Sequence, residues 1–149
     1  MLSGCAPVVM LIFRRPRLTQ QVFDRVREAK PSMLIVVADG PREANPSEDA
    51  LVRETREIVA KVDWDCNVHR IYSDSNLGLK NRVSSGLDKA FELVDSAIVL
   101  EDDCVPSASF FPYATELLEK YRDDVRVGTI AATSRVRGHM PSRFSYDFS

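Results

Sequence analysis

The densest chemical potential of the chain lies at Glu101-Asp102-Asp103, three adjacent carboxylates that follow the apolar run Ala97-Ile98-Val99-Leu100 and stop at Cys104-Val105-Pro106. Neighbouring carboxylates repel one another, and burying them raises at least one pKa unless a cation or hydrogen-bond donors offset the cost. A divalent ion answers that requirement. Hard oxygen ligands in this arrangement suit Mg²⁺ or Mn²⁺, usually held by one or two carboxylates together with phosphate oxygens and water. The plainer reading is a solvated acidic turn capping the next helix, and the motif alone leaves both open. A second carboxylate, Asp39, heads Asp39-Gly40-Pro41, a turn signal that closes another β-rich run. A third feature is Asn76-Leu77-Gly78-Leu79-Lys80-Asn81-Arg82. There Gly78 permits a tight turn, and Lys80 with Arg82 brings cations to a helix N-terminus whose amides already attract anions. A diphosphate suits that loop, and two solvated basic residues on a helix start are the alternative. Neither the P-loop signature nor G-x-G-x-x-G occurs.

These groups need elements to position them. Ala97–Leu100 is short, apolar and rich in β-branched residues, the pattern of a strand covered on both faces of a parallel sheet. Its carboxyl end is then the acidic end, where open α/β sheets bind ligands. Val8 to Phe13 reads as a first strand, stopped by Arg14-Arg15-Pro16 because proline cannot continue a central ladder. Leu18, Val22, Val26 and Ala29 recur at helical spacing and predict a helix broken at Pro31. Met33 to Ala38 is a second strand. Ser47 can cap a helix with Glu48 and Asp49 in its first turn and Leu51, Ile58, Val59 and Val62 as its buried stripe. Cys66 to Tyr72 alternates partly and predicts a more exposed strand. Val83, Leu87, Ala90, Phe91 and Val94 then mark one helix face. Ser107 can cap a last helix carrying Phe110, Ala114, Leu117, Leu118 and Tyr121, and Val127 to Ala132 is a candidate fifth strand. Strand alternating with helix predicts an α/β, Rossmann-like fold with a mainly parallel five-stranded sheet flanked by helices.

At 149 residues the chain can bury a core without disulfides or structural metal. Its composition, 44% hydrophobic and 28% charged with a formal charge of −2, gives no global reason to expect nucleic acid or a membrane as partner. Cys5, Cys66 and Cys104 are odd in number and lack metal spacing, which favours a reducing, cytoplasmic location. No apolar run approaches the ~18 residues of a membrane span. His69 and His139 stand alone, without ligand spacing. Cys104 is expected as a small buried residue rather than a nucleophile, and Trp64 as a loop anchor rather than a stacking platform.

The order of Phe13-Arg14-Arg15-Pro16 after the first strand, Ala38-Asp39-Gly40-Pro41 after the second, Asn76-Leu77-Gly78 with Lys80 and Arg82, and then Val99-Leu100-Glu101-Asp102-Asp103 resembles glycosyltransferases of the GT-A fold. It is most similar to family 2 enzymes and to the Glu-Asp-Asp motif of the N-acetylglucosaminyltransferase I group. The resemblance covers residues 7–134 and implies one nucleotide-diphospho-sugar transferase-like domain over 1–149, with a poorly ordered tail at 135–149. By this resemblance Asp39 would recognise the nucleotide base, and Arg14 and Pro16 would border the same pocket. Glu101 and Asp102 would approach ribose and sugar, Lys80 and Arg82 the sugar or diphosphate. Asp103 would bind the Mn²⁺ or Mg²⁺ through which the diphosphate is held. Metal and cations would then stabilise the charge that builds on the leaving diphosphate.

The implied reaction is inverting transfer from a nucleoside diphosphate sugar, UDP-linked, to an acceptor that is a glycan, lipid or protein, a membrane-proximal one included. The segment that binds acceptor and supplies the catalytic base in the family has no counterpart here, and Asp147 is a poor candidate for that base. Two other readings follow from the residues. One is a truncated or degenerate module that binds nucleotide or protein without catalysis. The other is a phospho-receiver domain, which needs an acidic pair after the first strand, where this chain has Arg14-Arg15.

Overall fold

The computed structural model describes residues 4–132. Their elements alternate as β1 (Val8–Ile12), α1 (Pro16–Ala29), β2 (Met33–Ala38), α2 (Glu48–Val59), β3 (Asn67–Tyr72), α3 (Leu79–Phe91), β4 (Ile98–Glu101) and α4 (Phe110–Lys120). All strand pairs are parallel, in the order β3-β2-β1-β4. That is the order of one half of a dinucleotide-binding sheet, and it differs from the 2-1-3 order of flavodoxin-like sheets that a phospho-receiver would need.

Apolar sequence explains the two central strands. β1 and β2 are buried almost throughout because both faces are covered. On one face Val8, Met10, Ile12, Leu34, Val36, Ala38, Ile98 and Leu100 pack against Val22, Phe23 and Val26 of α1, Ile58 and Val59 of α2, and Phe111 and Ala114 of α4. On the other, Val9, Ile35 and Val37 meet Ala90 of α3, with Leu87 and Ile71 at the margin. Gly86 brings α3 close, since a Cβ there would collide with the Val37 side chain. Pro16 opens α1 at its first position, where its missing N–H costs nothing. Lys30 ends α1 in a left-handed conformation, φ 48°, with Pro31 next.

Several expectations are corrected. Among the described residues the sheet has four strands: Val127 to Ala132 forms no strand and is at most half-buried. Its apolarity is real, but the segment pairs with neither edge strand, β3 or β4. β4 is covered on one face only, leaving Val99 39% exposed, because α3 lies over β2 rather than over the β4 edge. The buried stripe of α2 is Glu48, Val52, Thr55, Ile58 and Val59, while Leu51 points outward. On α3 the stripe is Arg82, Gly86 and Ala90, and Phe91 is 47% exposed. Ser47 precedes α2 without a capping bond, its hydroxyl donating to Asn45 Oδ1 instead. α4 starts after Ser109 rather than Ser107. Cys104 is exposed rather than buried. Trp64 is the anchor expected, its Nε1 donating to Pro31 O at 2.8 Å and its ring tilted on Phe23. His139, Asp147 and the 135–149 tail lie outside the described residues. Among the described residues, no helix is long and apolar enough to cross a membrane.

Candidate functional site

Strand register sets the site. Ile12 is level with Ala38, Ala38 with Tyr72, and Leu11 with Glu101, so Phe13, Asp39 and Asp102 emerge at one edge of the sheet. The chain steps outward from β1 through β2 to β3 and then crosses back to place β4 on the other side of β1, so the strand order reverses between β1 and β4, the position where such sheets open a crevice. A cavity of about 460 Å³ lies there, lined by residues of all four strand-end loops, among them Arg14, Arg15, Asp39, Arg42, Asn76, Arg82 and Glu101 to Asp103. Six expected site residues, Arg14, Asp39, Arg82, Glu101, Asp102 and Asp103, are thereby brought together. Pro16 and Lys80 are not: Pro16 starts α1, and Lys80 is exposed on α3 away from the cavity lining. A larger cavity of about 820 Å³ between α1 and α4 holds none of these residues, and its Arg25 is paired with Glu28.

Asp39 is 4% exposed, and its carboxylate is already engaged. Oδ1 accepts from the backbone N–H of Gly40 at 3.0 Å and Leu77 at 2.9 Å, and Oδ2 from Gly78 at 3.1 Å. It therefore clamps the β3–α3 loop to the end of β2. Gly78 enters this clamp with φ 79°, a conformation that glycine adopts without strain. Asn76 Nδ2 donates to Gly40 O at 2.9 Å and tightens the same junction.

Glu48 is the feature that sequence reasoning misses. Read as a dipole-favouring acid on a helix start, it is in fact 1% exposed. It accepts from Arg14 Nη1 at 2.5 Å, from the Arg42 backbone at 3.2 Å and from Asn45 Nδ2 at 3.3 Å, and it pairs with Arg42 Nη2 at 3.2 Å. Both guanidiniums also lie about 6 Å from the Phe13 ring. One buried carboxylate thus fixes two arginines of the cavity wall. The available local signal was Arg42 in the loop before α2; Arg14 comes from the β1–α1 loop, 34 positions from Glu48.

Arg82 is the opposite case. The residue is 7% exposed, its Nε is buried without a hydrogen-bond partner, and no ion pair is made by its side chain among the described residues. A largely buried arginine with one donor unsatisfied is costly unless an acceptor completes it, and an anion in the cavity would do so.

The acidic strand end divides. Glu101 is exposed at the end of β4 while Asp102 is 8% exposed, as strand alternation requires. Arg15 Nη1 donates to Asp103 Oδ2 at 2.7 Å and reaches Asp102 Oδ1 at 3.4 Å. Among the described residues no group of three or more His, Cys, Asp or Glu side chains is placed to hold a metal ion. Glu101 and Asp102 differ in exposure at the strand end, and a guanidinium sits against Asp103, the acid expected to meet Mn²⁺ or Mg²⁺. Cys104 Sγ lies 3.6 Å from Asp103 Oδ1, and desolvation, then Asp103 and its acidic neighbours, push the thiol up, away from nucleophilic thiolate.

Burial also pushes the Asp102 carboxyl up from 3.8, with Arg15 opposing and Asp103 adding to the rise. A carboxyl whose folded pKa is raised carries no penalty below its unfolded pKa, and the penalty appears as pH rises through the folded value. Asp102→Asn is therefore expected to melt above the wild type at about pH 7 and to converge with it towards about pH 4. Thermal melts of both proteins across that range check this. A gap that widens as pH falls would reverse the sign.

Compared with known proteins, the chain has no matching family model and no significant match among curated proteins or solved structures.

Proposed function

We propose that this chain is the donor-binding part of a GT-A-type glycosyltransferase, and that the strand-end cavity takes a nucleoside diphosphate sugar, UDP-linked. The observation that carries the reading is Arg82, a residue 7% exposed whose buried Nε has no hydrogen-bond partner and whose side chain makes no ion pair among the described residues, on the wall of a cavity at the switch point of a parallel sheet. A phosphate supplies the missing anion. Phe13, Arg14 and Arg42 give the same cavity an aromatic and guanidinium wall against which a planar base can lie. Sugar transfer then uses the cations to stabilise charge on the departing diphosphate while an acceptor hydroxyl attacks the anomeric carbon with inversion. The acceptor is a glycan, lipid or protein. A cytoplasmic site of action belongs to the same proposal and is supported by three free thiols, Cys5, Cys66 and Cys104.

Calorimetric titration with UDP, uridine and inorganic phosphate tests the reading. UDP is expected to bind at least about tenfold more tightly than uridine, because its diphosphate meets charged donors that uridine leaves unpaired. Absence of UDP binding, both with Mn²⁺ and with chelator, would remove the donor-site reading. Binding without transfer from any UDP sugar would favour a non-catalytic nucleotide-binding module.

A further inference from the structure

The cation that the acidic strand end requires is already present in the chain. Arg15 is the N-cap residue of α1, so the start of that helix fixes its backbone beside the end of β4. Its Nη1 serves Asp103 and Asp102 together, while Nε and Nη2 make no hydrogen bond among the described residues. A guanidinium offers five N–H donors in a planar fork, so one edge can hold carboxylates while the other receives phosphate oxygens. That is the bridging geometry a divalent ion would provide between strand-end acids and a diphosphate.

Charge placement on the cavity wall agrees. Arg14 and Arg42 share the single carboxylate of Glu48, Asp39 is satisfied by backbone amides, and Arg15 faces Asp102 and Asp103. Arg82 makes no ion pair among the described residues, and its buried Nε has no hydrogen-bond partner. An incoming diphosphate thus meets one free guanidinium and the free edge of a second before any metal is added.

We infer that Arg15 replaces the divalent ion in this site, so that a diphosphate binds on Arg15 and Arg82 without metal. The inference rests on the donor-site reading, and its failure can be told apart from the failure of that reading. The probes are UDP and inorganic pyrophosphate, titrated at constant ionic strength with chelator or with Mn²⁺ into the wild type, Arg15→Gln and Asp103→Ala, each variant first checked by its thermal melt.

In the wild type both probes are expected to bind in chelator, with Mn²⁺ changing the affinity by less than about threefold. Arg15→Gln should lose about tenfold in chelator, one charge-assisted contact. It should also recover part of that loss when Mn²⁺ is added, because the two acids are then open to the ion. Asp103→Ala should keep metal-free binding within about threefold, since Arg15 can still turn to phosphate. UDP binding that requires Mn²⁺ and vanishes in Asp103→Ala would overturn the inference and keep the donor site. Equal affinity of Arg15→Gln and wild type in chelator would also overturn it. Absence of binding by either probe under all conditions would overturn both.

Discussion

Asp39→Ala is expected to destabilise the protein by about 2–4 kcal/mol, a large part of the ~5–15 kcal/mol that holds a typical domain together. The carboxylate accepts from three backbone N–H groups, and alanine leaves all three without that acceptor. Leu77 and Gly78 lie far enough out for water to replace part of the loss, which keeps the figure below the sum of three buried orphans. The damage should spread to the site. Without the clamp the β3–α3 loop is released from the end of β2, and with it the first turn of α3 that carries Arg82. Urea unfolding of wild type, Asp39→Asn and Asp39→Ala measures the first effect, with asparagine intermediate because it keeps one acceptor oxygen. A carboxylate whose only task was to read a nucleobase would change nucleoside affinity and leave the unfolding midpoint in place. An unchanged midpoint for Asp39→Ala would therefore return Asp39 to the base pocket alone.

The same residue shows what could be read from sequence and what could not. Asp39 was visible as a strand-end acid beside a turn, because strand ends follow from apolar runs that stop. That logic placed β1, β2 and β4, and it put Asp39, Arg82 and the Glu101-Asp102-Asp103 motif at one edge of a parallel sheet. It did not reveal what Asp39 holds, since its partners Leu77 and Gly78 are 38 and 39 positions away and contribute only backbone amides. Glu48 and Arg15 were hidden for the same reason. Their roles are set by charges brought together from separate loops, whereas local pattern describes each as an ordinary charge at a helix start. Thr55 and Val52 displaced Leu51 from the buried stripe of α2 because the stripe begins at Glu48, whose charge the arginines neutralise. Val127 to Ala132 failed in the other direction: apolar composition permitted a strand, yet the segment pairs with neither of the sheet's two edge strands, β3 and β4. Patterns of apolarity thus located the site, and long-range pairing decided the task of each group in it.

Arg82→Met is expected to move stability and binding in opposite directions. The arginine is 7% exposed, with a buried Nε that no acceptor satisfies. Removing a largely buried arginine that makes no ion pair among the described residues, while retaining a flexible apolar chain of similar length, should stabilise the ligand-free fold by about 1–3 kcal/mol. Gly86 and Ala90, which continue the same ridge of α3 onto β2, show that the surroundings are packed to receive apolar surface. UDP affinity should fall by about a hundredfold, the loss of a bidentate charged contact at roughly 1.4 kcal/mol per factor of ten. Uridine affinity should change little, because the wall proposed for the base is on the Phe13 side of the cavity. Urea unfolding and calorimetry on the same preparations read both quantities. A variant that is less stable and still binds UDP would make Arg82 a packing residue and leave the cavity without its anion. A more stable variant that no longer binds is the outcome expected of a group retained for a ligand, since its burial weakens the empty protein and has its return only when phosphate arrives.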